Sequence, residues 1–363
     1  MKTTSNQFHQ PIAFHPGETL REKLFELDMT LKEFALRAGK PEKTVIAVLN
    51  GDSSITHEMA VQFEHVLKIP AHVWTSIQCD YDEYLAREER KEQLKASARW
   101  GKKFPVAEMV KKGWLPVAAT AHEKTEALCA FFGMSGHSAW EDYYLNQELK
   151  VAFRISLSHA KEPHAISAWL RRGELQAVEL PTHPYDESGF KRALERIRCL
   201  MVQHPADVLQ QLQKICLEVG VKVVYTPCIK KAPLNGCSRW LKDNPLIQLS
   251  GRYKRNDVFW FTFFHEAGHI LLHGKKDIFL EDYDYSEVDR KKEDEADRFA
   301  VRWTLTIEGD QELKHRGSMT EREIVALAKR INTHPAIIVG RLQHDRKVRP
   351  TFGHRLLETI EFK

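Results

Sequence analysis

Apolar residues recur at helical spacing through residues 14–78, in "ETLREKLFELD", "LKEFALRAG", "KTVIAVLNG" and "HEMAVQFEHVL". Gly39, Gly51 and Pro70 punctuate these runs. Thr30, with Glu33 three residues later, reads as a capping box that starts a helix at Leu31. A charged helix, "CDYDEYLAREERKEQLKASARWGKKFP", follows and ends as a loop, which sets a first domain of five helices over 1–98. Residues 99–218 carry further helical runs, among them "TEALCAFFG", "HAISAWLRRGELQAVEL" and "ADVLQQLQKICLEVG", and read as a helical connector. The pattern changes near 219. "VKVVYTP" reads as a strand, and "CSRWL" and "LIQLS" around the turn signal "KDNP" read as a β-hairpin. A helix is expected from about Asp257 to a stop at Gly274. Beyond the acidic loop "DIFLEDYDYSEVD" comes the helix "KKEDEADRFAVRWTL". Thr320 with Glu323 then opens two short helices, "IVALAKRI" and "HPAIIVGRLQH". The expected fold is α+β and mainly helical, with a C-terminal domain over 219–363 that combines a small β-sheet with helices.

Composition narrows this picture. With 363 residues, 42% hydrophobic and 29% charged, the chain can bury more than one core and stay soluble. A net charge of +4 excludes little. The six cysteines form no CxxC pair and read as reduced thiols. The first residues lack the apolar segment of a signal peptide, and the longest apolar stretch, "VFWFTFF", is far too short to span a membrane. A cytoplasmic protein without membrane contact is expected.

Candidate chemistry centres on "FFHEAGHILLHG". In an HExxH helix, residues four apart share a face, so His265 and His269 can aim at one ion. Zinc (Zn2+) accepts neutral imidazole and leaves a coordination position for water at catalytic sites. Glu266 would take the proton as water attacks a carbonyl. Gly268 is expected to leave room beside the ion, and the edge of "LIQLS" to hold an extended peptide by strand addition. The "EDEAD" helix supplies Glu293 and Asp297 four residues apart. One carboxylate can complete the metal shell while the other accepts the second N–H of a histidine. At about 100° per residue Glu295 falls on the opposite side, so Glu293 and Asp297 are the pair expected to face the histidines, while Glu295 is expected to hydrogen-bond elsewhere or face solvent and to be dispensable for zinc. The ExxAD order resembles other HExxH-plus-Glu peptidases, which implies Glu293 as the ligand and Asp297 as its supporting partner. His273 lies near the helix end, where a histidine serves carbonyls or the dipole, and is left out.

"TLKEFALRAGKPEKTVIAVLNG" has the rhythm of a helix-turn-helix: a capped helix, a turn at Gly39 and a second helix from about Pro41. Lys40, Lys43 and Thr44 are the candidates for base contact, with Asn50 and Ser53 nearer phosphates, which makes operator DNA the expected partner of residues 30–53. Charge argues the other way, since residues 14–70 hold seven Lys/Arg against nine Asp/Glu. A homodimer, which doubles the contact set, is the state in which DNA binding is expected.

"LIQLSGRYKRNDVFWFTFFHEAGHILLHGKKDIFLED" followed by "EDEADRFA" resembles the ImmA/IrrE family of zinc metallopeptidases. The first 90 or so residues resemble the XRE-type helix-turn-helix of HigA-like antitoxins. The resemblance implies a gluzincin-like minimal fold, zinc held by His265, His269 and an acidic residue of "EDEAD", Glu266 as base, and a bacterial or phage regulator whose proteolysis of a partner regulator relieves repression. The alternative is a HigA-like antitoxin that binds operator DNA and a toxin, its metal site structural or inactive. One departure is visible: after "EADRFA" such proteins usually run through a Leu-rich helix to Leu-Ile-Pro, whereas this chain reads "VRWTLTIEGD".

Overall fold

The computed structural model describes residues 13–146, 162–274, 279–280, 287–316 and 319–361. The chain divides into two compact units, Met1–Ala96 and Ser97–Lys363. The architecture is mainly helical with one small sheet.

Among its described residues the first unit holds five helices: α1 (Pro16–Glu26), α2 (Leu31–Arg37), α3 (Glu42–Leu49), α4 (His57–Leu67) and α5 (Ala71–Ala96). Their apolar faces meet in one core around Leu20, Phe34, Val45, Val48, Phe63 and Trp74. Phe34 and Phe63 pack edge-on at 4.9 Å between ring centroids, and Phe63 and Trp74 at 5.8 Å. Gly39 turns the chain between α2 and α3 at φ +64°, a backbone region that glycine enters freely. Thr30 caps α2 by accepting from the Glu33 N–H at 3.3 Å. The expected reciprocal bond is not the one Glu33 makes; its carboxylate pairs with Arg37 at 2.6 Å. At Thr320 and Glu323 both halves of the capping box are present.

The second unit begins with α6 (Ala98–Gly101), α7 (Val106–Lys111), α8 (Ala121–Phe132) and α9 (His137–Glu141); Trp100, Phe132 and Trp140 of α6, α8 and α9 cluster with Phe104, which lies between α6 and α7. Further along, α10 (Pro163–Val178) backs the sheet. Its Trp169 donates from Nε1 to the Thr226 carbonyl at 2.9 Å, and Gln248 Nε2 donates to the Trp169 carbonyl at 2.7 Å. After α11 (Glu187–Gln203) and α12 (Val208–Leu217) come β1 (Lys222–Tyr225), β2 (Gly236–Leu241) and β3 (Asn244–Leu249), with β4 (Phe279–Leu280) further along. The sheet order is β1-β3-β2-β4, with β1 parallel to β3 and the other pairs antiparallel. The hairpin turn uses only Lys242 and Asp243, so Asn244 and Pro245 already belong to β3. Pro245 is tolerated because the rungs shared with β1 begin one residue later, at Leu246.

This order corrects one expectation. The "LIQLS" strand, β3, is interior, hydrogen-bonded to β1 on one side and β2 on the other. Its backbone groups are spent within the sheet and cannot hold an added peptide strand.

Helix α13 (Asn256–His273) packs on the sheet and α14 (Glu287–Leu305) packs against α13, followed by α15 (Ile307–His315), α16 (Glu321–Arg330) and α17 (Pro335–His344). Phe259, Trp260, Phe263, Phe264, Ala267 and Ile270 of α13 join one core with Val223, Ile247 and Leu249 of the sheet and Leu327 and Ile338 of the last two helices. A helix apolar on nearly all sides is a buried helix. Among the described residues no helix is long and apolar enough to cross a membrane.

Candidate metal centre

Helix α13 buries His265 (3% exposed), Glu266 (0%) and His269 (1%). Burying such groups opposes folding unless they find partners. Phe263 and Phe264, both fully buried beside them, offset part of that cost, at roughly 1.5–3 kcal/mol each.

The partners come from α14. Asp297 Oδ1 lies 2.9 Å from His265 Nδ1. Glu293 Oε2 lies 3.2 Å from His265 Nε2, and its Oε1 3.5 Å from His269 Nε2. The two Nε2 atoms face each other at 2.9 Å. Small side chains let the two helices approach, with Ala267 on α13 and Ala296 and Ala300 on α14 all fully buried. Gly268 belongs to this contact. A Cβ there would lie 3.2 Å from the Phe299 ring, so the glycine spaces α13 from α14 and does not clear room beside an ion.

Protonation follows from these contacts. A carboxylate only accepts, so Asp297 holds the His265 proton on Nδ1 and leaves the lone pair on Nε2. Burial pushes His269 down to about 4; nearby His265 adds to this, and Glu293 opposes it. Burial works against ionising Glu293, but hydrogen bonds from His265 and His269 outweigh it and bring its pKa to about 2. At neutral pH His269 is therefore neutral and Glu293 ionised. His265 Nε2 and the Glu293 carboxylate, 3.2 Å apart, need a proton or a metal cation between them. His265, His269 and Glu293 offer donor atoms within 4.8 Å of one another. Two imidazole nitrogens and one carboxylate oxygen form a donor set that suits zinc.

Glu266 is packed under β2. A Cβ on Gly236 would stand 3.0 Å from Glu266 Oε1 and 2.4 Å from Thr262 Cγ2, so only glycine lets the strand run this close to the carboxylate. A cavity of about 440 Å3 opens beside His265 and Glu293, its other walls including Tyr253, Asp297, Arg341 and His344. Arg341 and His344 come from α17, and no motif in the sequence connects that helix to the site.

His273, set aside as a ligand, and Glu295, expected to hydrogen-bond elsewhere or face solvent, partner each other. His273 Nδ1 lies 3.0 Å from His269 Nδ1, and its Nε2 lies 3.0 Å from Glu295 Oε2. The four-residue spacing of His265, His269 and His273 places the three rings along one helical face.

On the first unit, Lys43 is exposed in the first turn of α3, Thr44 is half-buried, and Asn50 is exposed at the end of that helix. Lys40 is engaged elsewhere: its ammonium pairs with Glu58 at 2.8 Å.

Comparison with known proteins gives two separate likenesses. Residues 216–331 match the peptidase family described as the IrrE N-terminal-like domain. The chain is 32% identical over 63 residues, 17% of its own length and 67% of the relative's, to an uncharacterised HTH-type transcriptional regulator of Escherichia coli (strain K12). Among solved structures, an addiction module antidote protein of the HigA family from Coxiella burnetii is 30% identical. That alignment covers 23% of this chain and 92% of the antidote, at a TM-score of 0.22. The Pseudomonas aeruginosa antitoxin HigA, solved with the higBA promoter, is 26% identical over 23% of this chain and 90% of its own, at a TM-score of 0.22.

Proposed function

Because this chain belongs to the HTH-type transcriptional regulators and carries an IrrE N-terminal-like domain over residues 216–331, we propose a regulator that joins operator binding to zinc-dependent cleavage of a partner protein. The observation that carries the reading is the convergence of His265, His269 and Glu293 on one point, with Glu266 buried alongside. His265, His269 and Glu293 would hold zinc. Bound there, the ion supplies Lewis acidity that polarises a carbonyl and acidifies water. Glu266 takes the proton of the attacking water and returns it to the leaving amine. Asp297 fixes the His265 ring through its Nδ1–H. The cavity beside His265 and Glu293 receives the peptide.

The reading is tested by incubating zinc-loaded protein with proteins encoded by neighbouring genes and mapping cleavage by mass spectrometry. One of them should be cut, and a chelator should abolish the cut. Intact neighbours together with tight binding of a small toxin would support the antitoxin alternative.

Operator binding is the second half of the proposal. Lys43, exposed at the start of α3, is the side chain best placed to reach a base edge in the major groove. Lys43→Ala should weaken binding to a site near the protein's own promoter by ~1–3 kcal/mol, whereas Lys40→Ala, already paired with Glu58, should cost less. Salt-dependent titrations of both variants check this, and a first unit that shows no salt-sensitive DNA binding would be a protein-contact module.

A further inference from the structure

We propose that His273 and Glu295 form a positioning relay that fixes the tautomer of His269 and so presents its Nε2 lone pair to the metal; this rests on the metal-site reading above. His273 is the last residue of α13, and its ring is nearly enclosed, with 4% of the side chain exposed. Its Nε2 faces Glu295 Oε2 and its Nδ1 faces His269 Nδ1, each at 3.0 Å. A carboxylate can only accept, so the His273 proton sits on Nε2. A neutral imidazole has one N–H and one lone pair, so His273 Nδ1 accepts. His269 Nδ1 must then donate, and its Nε2 is left bare, 2.9 Å from His265 Nε2.

His265 reaches the same state by a shorter route, because Asp297 accepts directly from its Nδ1. Each histidine ligand is thus oriented by a carboxylate of α14, one through contact and the other through a second ring. Without the relay, His269 is free to carry its proton on Nε2, the atom the metal needs. His273 is not itself a ligand: both of its nitrogens are engaged away from the point where His265, His269 and Glu293 converge.

The test compares full-length His273→Ala, His273→Asn and Glu295→Ala. Zinc affinity, measured by competition with a chromophoric chelator, should fall about 10–100-fold in His273→Ala. His273→Asn should recover most of it, since the Asn Oδ1 stands where Nδ1 stood and accepts the same proton. In metal-free protein, imidazole 15N shifts should show His269 protonated on Nδ1 in the wild type and in His273→Asn. The two alanine variants should show a mixture with the Nε2–H tautomer. Two results would overturn the relay while the wild type still binds zinc: His273→Asn binding as weakly as His273→Ala, or a His269 tautomer indifferent to all three changes. A wild type that binds no zinc would overturn the metal reading itself, and the relay's role with it.

Discussion

Glu266→Gln will keep zinc at the wild-type stoichiometry and lose peptide cleavage by at least ~100-fold, the scale of a general base. The two effects separate because Glu266 lies outside the set of donor atoms formed by His265, His269 and Glu293. Glutamine preserves the shape of a side chain that is fully buried between α13 and β2, so packing beside Gly236 is retained. What disappears is the basic oxygen. Metal content by mass spectrometry and initial rates on a confirmed substrate read the two halves independently. A variant that cleaves at the wild-type rate would end the mechanism; one that also loses zinc would show that Glu266 acts on the metal rather than on the proton.

Glu293→Ala will lose zinc on dialysis against a weak chelator. The carboxylate is the anionic member of the donor set, 3.2 Å from His265 Nε2, and is held ionised at neutral pH. Two neutral imidazoles alone make a poor zinc site, since catalytic sites use three protein ligands. The loss should exceed the ~10–100-fold cost of removing an outer partner. Glu295→Ala is the contrast: it should still fill with zinc at saturation, because Glu295 touches His273 and not the convergence point. If Glu295→Ala strips the metal and Glu293→Ala does not, the ligand assignment is reversed.

What the sequence made legible was local. The four-residue spacing of His265 and His269, and of Glu293 and Asp297, places each pair on one face of its own helix. The hairpin of β2 and β3 follows from a two-residue turn between apolar runs. Relations between elements were not legible. The interior position of β3 depends on β1, which lies about twenty residues upstream and pairs with it in parallel. The direction of Gly268 depends on how α14 is rotated, and only that rotation brings Phe299 against it. Glu295 falls away from Glu293 around the helix, as the spacing implies, yet it still meets α13, because His273 sits one turn beyond His269. Lys40 is drawn to Glu58, a residue on another helix that no local pattern links to it.

His265, His269 and Glu293 should together hold one catalytic zinc ion. Diffraction data from crystals of the zinc-loaded protein, collected on both sides of the zinc absorption edge, locate that ion. A single anomalous peak should lie about 2.0–2.2 Å from His265 Nε2, His269 Nε2 and a Glu293 carboxylate oxygen. No peak there, or a peak bound instead by His273 and Glu295, would rule the assignment out.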